Sequence, residues 1–237
     1  MEQSKSLYAI ALPRAILLIV HYFVGYLYVY PRITSYLTLM IQPNAFMILP
    51  SLQMATYLLT AVVTIFLAWP IIKNSIEVFR RSKKECFQLI AMLVVAVLCA
   101  NMVLNMIVSL LTHTTQSENQ ESIHMASTLV PLITLFATCI FSPIIEELVF
   151  RGGAFSYLRS KTNFLTAALF SSVLFGSIHV ISSLAAGNFN DVSYLLVYTG
   201  IGMVLAYGHE KSGTLAVPIG IHMVNNILSV IAMYIAM

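Results

Sequence analysis

The 237-residue sequence is 59% hydrophobic and 9% charged, with a mean hydropathy of +0.88, whereas soluble domains average roughly 45–50% apolar and about 25% charged residues. This composition excludes a soluble globular protein and indicates an integral membrane protein. The formal net charge of +3 is small, so we expect the lipid bilayer, and no nucleic acid, as the partner of the chain's surface.

Seven apolar stretches are long enough to cross a bilayer. Hydrocarbon offers no partners to backbone N–H and C=O groups, and the stretches lack the alternation of barrel strands, so they predict helices. The expected fold is all-α, a polytopic membrane helix bundle of about seven transmembrane helices. In chain order the predicted spans cover approximately residues 8–30, 46–72, 87–111, 127–150, 164–185, 193–208 and 214–236.

The amino-terminal stretch has no early cleavage site of small residues, so we interpret the first span as retained. The segment that follows it, residues 31–45, begins with proline and is too short to cross a bilayer. It predicts a separate amphipathic helix on the membrane surface.

Basic residues predict the orientation of the spans. With the amino terminus in the cytoplasm, only Arg32 falls in an outside loop, and the outside loops 113–127 and 185–192 contain no Lys or Arg. The positive-inside rule therefore predicts a multi-pass protein of the cell membrane with its carboxyl terminus outside. The basic residues assigned to the cytoplasmic side are Lys5, Lys73, Arg80, Arg81, Lys83, Lys84, Arg151, Arg159, Lys161 and Lys211.

Two adjacent carboxylates lie within the apolar spans, Glu146 and Glu147 in "EELVFR". A charge at membrane depth costs roughly 2.5–3.5 kcal/mol, so each needs a partner, a proton or water. Glu147 and Arg151 are four residues apart on one helix face and are expected to pair. Glu146 points about 100° away, where Phe150 lies one turn further on, so we expect it to be available for chemistry.

Two later spans each carry a histidine near other polar residues. His179 ends "FGSIH" in the fifth span, and "HMVNN" places His222 and Asn226 on one face of the seventh. Asn225 is the alternative polar partner of His222. A single histidine on an apolar helix is usually a hydrogen-bonded core residue, but polar groups on three spans predict a functional site.

A glutamate and a histidine that share a water can remove its proton, and a neighbouring histidine and asparagine can donate hydrogen bonds to an oxyanion. Hydrolysis of a peptide bond within the membrane fits this set of groups. No HExxH motif, aspartate pair or GxSxG motif occurs in the sequence, which excludes the usual zinc, aspartyl and serine protease arrangements.

The motifs "EELVFR", "FGSIH" and "HMVNN" resemble, in order and in span placement, the signatures of the CAAX-protease and bacteriocin-processing (CPBP, or Abi) family of intramembrane endopeptidases. The resemblance implies a catalytic core over residues 127–237, preceded by variable helices over 1–126. It implies that Glu146 and His179 activate water, that His222 and Asn226 form the oxyanion site, and that Glu147 and Arg151 support the helix.

The resemblance also implies a glutamate endopeptidase without a cofactor. Zinc stays open as an alternative, held by Glu146, His179 and His222. Its implied substrate is a membrane-associated peptide or protein: eukaryotic relatives trim prenylated CAAX proteins, and small bacterial ones are linked to pheromone or bacteriocin maturation and to self-immunity. The competing hypotheses are a non-catalytic immunity or scaffold protein and a transporter. A transporter is less consistent with the sequence, because the remaining spans have almost no polar residues for a pathway.

Helix geometry adds one condition to this hypothesis. At 1.5 Å per residue, Glu146 is about 8 Å inside the membrane if its helix ends at Arg151, whereas His179 is about 22 Å from the start of its span. The two can share a water if the fourth span continues to about Arg159, or if the fifth span begins outside the hydrocarbon. We therefore predict a long or tilted fourth helix that keeps Arg151 inside the protein.

Overall fold

The computed structural model describes residues 10–236 and the side chains of residues 10–235. The predicted start of the first span at residue 8, and Lys5, lie outside the described residues. In chain order the helices are α1 (Leu12–Ile41), α2 (Pro50–Arg81), α3 (Lys83–Thr112), α4 (Glu118–Leu129), α5 (Pro131–Lys161), α6 (Phe164–Ala185), α7 (Asn190–Ser212) and α8 (Ala216–Ala236).

Seven of these helices, all except α4, are long and apolar enough to cross a membrane. The predicted all-α polytopic bundle is thereby confirmed. Large apolar side chains point away from the bundle along its outer faces, among them Phe66, Leu110 and Leu111, which are 68%, 71% and 73% exposed. In a bilayer these side chains contact lipid, so they need no protein partner. The interior is filled from six helices by Leu18, Val97, Phe150, Phe175, Leu205 and Ile221.

The predicted surface helix over 31–45 is wrong, because α1 continues through Pro31 to Ile41. Residues His21–Val29 form a π-helical stretch, in which the Tyr30 N–H donates to the Gly25 carbonyl five residues back. Pro31 follows Tyr30, the first residue after this stretch, where the hydrogen-bond register changes. A residue without an N–H is tolerated there because no regular helical bond is lost.

The predicted long fourth helix is confirmed, since α5 extends to Lys161. The predicted start of that span at residue 127 is wrong, because Glu118–Leu129 form the separate helix α4. Ser117 caps it, its Oγ accepting a hydrogen bond from the Gln120 N–H at 3.3 Å. The segment 113–127, predicted as an outside loop, is thus mostly helical.

The basic segment after the second predicted span, residues 73–84, is helical except at Ser82. α2 reaches Arg81, and only Ser82 separates it from α3. Arg80 and Arg81 occupy the last turn of α2, where cationic side chains interact favourably with the helix dipole. Two helices of 32 and 30 residues therefore continue beyond the hydrocarbon layer at this end.

Candidate active site

Four predicted site residues line one cavity of about 210 Å³ inside the bundle: Glu146, His179, His222 and Asn226. They come from α5, α6 and α8. The cavity is large enough for several waters or for a short length of peptide. The structure therefore brings together, at membrane depth, groups that are up to 80 residues apart in the sequence.

Glu147 and Arg151 form an ion pair within α5, with Arg151 Nη1 3.1 Å from Glu147 Oε1 and both side chains fully buried. The arginine also donates from Nη2 to the Gly202 carbonyl of α7 at 2.9 Å. Its guanidinium carbon lies 4.6 Å from the centroid of the Phe175 ring. The pair thus attaches α5 to α6 and α7 and brings neither charge to the cavity wall.

His222 lies between the two glutamates. Its Nδ1–H donates to Glu147 Oε1 at 3.0 Å, and its Nε2 is 3.9 Å from Glu146 Oε2. Because a carboxylate only accepts, this contact fixes the proton on Nδ1, and Nε2 carries a second proton only when the ring is cationic. Glu147 therefore sets the ring orientation of His222 and directs Nε2 towards Glu146 and the cavity.

Glu146 and His179 each present a buried atom that can bind water. Glu146 is 4% exposed, and its Oε1 accepts a hydrogen bond from the Tyr22 hydroxyl. Its Oε2, and Nε2 of His179, have no hydrogen-bond partner among the described residues. Buried polar atoms are almost always hydrogen-bonded in native proteins, so these two indicate a place for a water or a substrate group.

A chain of amides orients Asn226. Asn101 of α3 donates to Asn225 Oδ1 at 3.1 Å, and Asn225 Nδ2 donates to Asn226 Oδ1 at 3.2 Å. Asn226 Nδ2 in turn donates to the Thr138 carbonyl at 2.9 Å. One N–H of Asn226 stays available. Asn225 and Asn226 both line the cavity. The contribution of Asn225 is to orient the side-chain amide of Asn226.

Pro143 explains why the Thr138 carbonyl needs this donor. Residues Ala137–Phe141 are π-helical, and the Ser142 N–H donates to Ala137 five residues back. The next amide in that register belongs to Pro143, which has no N–H. The local distortion at Pro143 is thus a change of hydrogen-bond register, and Asn226 satisfies the carbonyl that it leaves open.

Tyr198 of α7 covers the other side of His179. The two rings are stacked, with centroids 4.2 Å apart and an interplanar angle of 20°. The Tyr198 hydroxyl forms a 2.8 Å hydrogen bond with Ser117 Oγ and accepts one from Asn119 Nδ2 at 3.3 Å. The start of α4 is thereby connected to the ring that fixes the plane of His179.

A second, mainly apolar cavity of about 450 Å³ adjoins the first. Asn119, Ile123 and Thr138 line both cavities. The second cavity lies between α4, α5 and the start of α2, with walls that include Tyr57, Ala126 and Ile133. The shared lining residues connect this second cavity with the one that holds Glu146 and His179.

Residues 10–235 contain no group of three His, Cys, Asp or Glu side chains arranged to hold a metal ion. Of the alternative zinc ligands, His222 is committed through Nδ1 to Glu147. The expectation of a mechanism without a cofactor stays a prediction.

Sequence reasoning missed Tyr22, Tyr198 and Asn101. Tyrosine is common in membrane helices, so Tyr22 and Tyr198 do not stand out in the sequence. Their hydrogen-bond partners are 124 and 81 residues away, and no local pattern indicates them. Asn101 had a signal: it is a polar residue within the strongly apolar third span, and such residues usually bond to another helix.

Comparison with known proteins finds similarity to the same kind of protein as the three sequence motifs, a membrane CAAX peptidase. Residues 128–228 match the family described as "Type II CAAX prenyl endopeptidase Rce1-like". Over 116 residues, 49% of this chain and 43% of the relative, the sequence is 36% identical to YdiL of Bacillus subtilis (strain 168), which is provisionally named a membrane peptidase. Over 116 residues, 46% of this chain and 42% of the relative, it is 30% identical to the membrane-embedded CAAX protease MroQ of Staphylococcus aureus (strain USA300).

The chain thus spans less than half the length of the curated relatives that it matches. No solved structure matches it. The three motifs that carry the resemblance all lie within the matched range. Residues 128–228 of this multi-pass membrane protein are thus similar to the Rce1-like CAAX endopeptidase family.

Proposed function

We propose that the protein is an intramembrane glutamate endopeptidase that hydrolyses a peptide bond of a membrane-associated peptide or protein. Glu146 and His179 bind one water. As the water oxygen attacks the scissile carbonyl carbon, Glu146 takes a proton from it, and the carbonyl oxygen becomes an oxyanion. The C–N bond then breaks, the proton passes to the leaving amine, and the products are a carboxylate and an amine.

The Nε2–H of the cationic His222 ring and the remaining N–H of Asn226 stabilise the oxyanion. Donors that are held in place before the reaction lower the barrier because they need no reorganisation, and one such donor typically contributes about 2.7–4 kcal/mol. His222 is held by Glu147, and Asn226 is held by Thr138 and Asn225. The observation that carries the proposal is the pair of unpartnered buried atoms, Glu146 Oε2 and His179 Nε2, on residues that line one cavity.

The substrate reaches these groups through the adjoining apolar cavity, which suits an apolar segment of a peptide already in the membrane. The cavities are bordered by α4, at the end of the bundle opposite the basic helix ends. With a cytoplasmic amino terminus, the catalytic cavity therefore lies on the outer side of the cell membrane. We place the biological role in the maturation of a bacterial pheromone or bacteriocin peptide, or in self-immunity.

Cleavage of membrane peptides by purified protein, followed by mass spectrometry, tests this function. Glu146→Gln and His179→Ala are each expected to lower kcat/KM by about 10²–10⁴-fold while the proteins unfold at the same temperature as wild type. Glu77→Gln and His124→Ala, both at exposed positions, serve as matched controls and keep full activity. Unchanged biological function in Glu146→Gln would instead support a scaffold or immunity protein without catalysis.

A further inference from the structure

We infer that Tyr22 of α1 is a positioning residue for Glu146, so that the first helix supplies part of the active site. The inference rests on the proposed function, because it concerns the carboxylate that activates water. Tyr22 lies outside residues 128–228, the range that matches the family.

The contact is a buried hydrogen bond between distant parts of the chain. The Tyr22 hydroxyl donates to Glu146 Oε1 at 3.1 Å, and Tyr22 is 2% exposed. Oε1 is thereby occupied, whereas Oε2 has no partner among the described residues and faces His222 Nε2 at 3.9 Å. One carboxylate oxygen is fixed by α1, and the other is left for the water.

Tyr22 is itself held rigidly. Its ring meets the Phe150 ring edge to face, with centroids 5.6 Å apart, and lies 5.3 Å from the ring of Tyr26. The hydroxyl therefore cannot swing away without disturbing two aromatic contacts. Glu146 needs such a restraint because a free carboxylate rotates about its last bonds, and a misplaced base loses much of its catalytic effect.

The position of Tyr22 follows from the unusual course of α1. His21–Val29 is π-helical, which changes the direction of side chains relative to a regular helix. π-Helical turns are frequent at functional sites. Here the turn brings Tyr22 against α5, next to the polar segment that carries Glu146.

The experiment compares Tyr22→Phe with Tyr26→Phe in the purified full-length protein. Both variants remove one hydroxyl and keep the ring, and the Tyr26 hydroxyl makes no hydrogen bond to Glu146 among the described residues. Tyr22→Phe is expected to lower kcat about tenfold or more, as befits loss of a hydrogen bond to a charged group. We expect KM and the unfolding temperature to stay at wild-type values, and Tyr26→Phe to leave kcat unchanged. A purely structural role would lower the unfolding temperature and leave kcat unchanged.

Infrared spectroscopy separates this inference from the proposed function. The difference between wild type and Glu146→Gln identifies the Glu146 carboxyl band, and Tyr22→Phe should shift that band whereas Tyr26→Phe should not. An unshifted band in Tyr22→Phe, or equal kcat in the two tyrosine variants, would overturn the inference even if wild type cleaves peptide. A shifted band in a wild-type protein without peptidase activity would confirm the contact and overturn its catalytic meaning together with the proposed function.

Discussion

At the scale of single residues, Glu146 and Glu147 are neighbours in sequence but have different surroundings. Glu147 contacts Arg151 and His222, whereas Glu146 contacts Tyr22 and lines the cavity. The division could be predicted from the sequence, since residues four apart meet on one helix face. The tyrosine could not, because no helical spacing relates residues 124 positions apart.

These different surroundings predict unequal effects of two isosteric substitutions on the free energy of unfolding. Glu147→Gln leaves the buried Arg151 without a counter-charge, and we expect the free energy of unfolding to fall by about 3–5 kcal/mol. The Glu146 carboxylate has no cationic partner as close as Arg151 is to Glu147. Glu146→Gln should therefore leave the free energy of unfolding nearly unchanged. Chemical unfolding in detergent micelles measures both. Equal destabilisation by the two variants would show that the glutamates share one structural role.

At the scale of helices, the continuous apolar runs predicted the seven spans, but the end of the first helix and the whole of α4 escaped prediction. Pro31 was expected to end the first span, and it is accommodated by the π-helical stretch before it. α4 was missed because its sequence, "ENQESIHMASTL", is polar and lies between two spans. Its packing over the cavities, through Asn119 and Ile123, is a tertiary contact that local patterns do not reveal.

α4 forms one wall of the apolar cavity, so bulk added there should block the substrate. Ala126 lines that cavity, whereas the neighbouring Met125 is 66% exposed. Ala126→Trp is expected to raise KM or abolish cleavage of an apolar peptide without changing the unfolding temperature. Met125→Trp is the matched control and should behave as wild type. If the two variants cleave equally well, the substrate enters by another route.

At the scale of the whole molecule, basic residues cluster at one end of the bundle and the cavities are bordered by α4 at the other end. The sequence predicted this asymmetry because the positive-inside rule depends only on composition and span order. It did not predict that α4 borders the cavities, since that depends on how α4 and α5 pack.

Orientation is measured by cysteine labelling in intact cells, after the three native cysteines Cys86, Cys99 and Cys139 are replaced. A membrane-impermeant maleimide should label Gln116→Cys, next to α4, in intact cells. It should label Lys84→Cys, in the basic segment, only after lysis. The reverse pattern would place the catalytic cavity on the cytoplasmic side.

The central claim is that Glu146 and His179 act on one water, and a double-mutant cycle on kcat/KM tests it most directly. Groups that work as a unit are strongly non-additive. The double variant Glu146→Gln/His179→Ala should therefore cleave peptide no more slowly than the slower of the two single variants. Single-variant losses that multiply in the double variant would show that the two residues act independently and would contradict the claim.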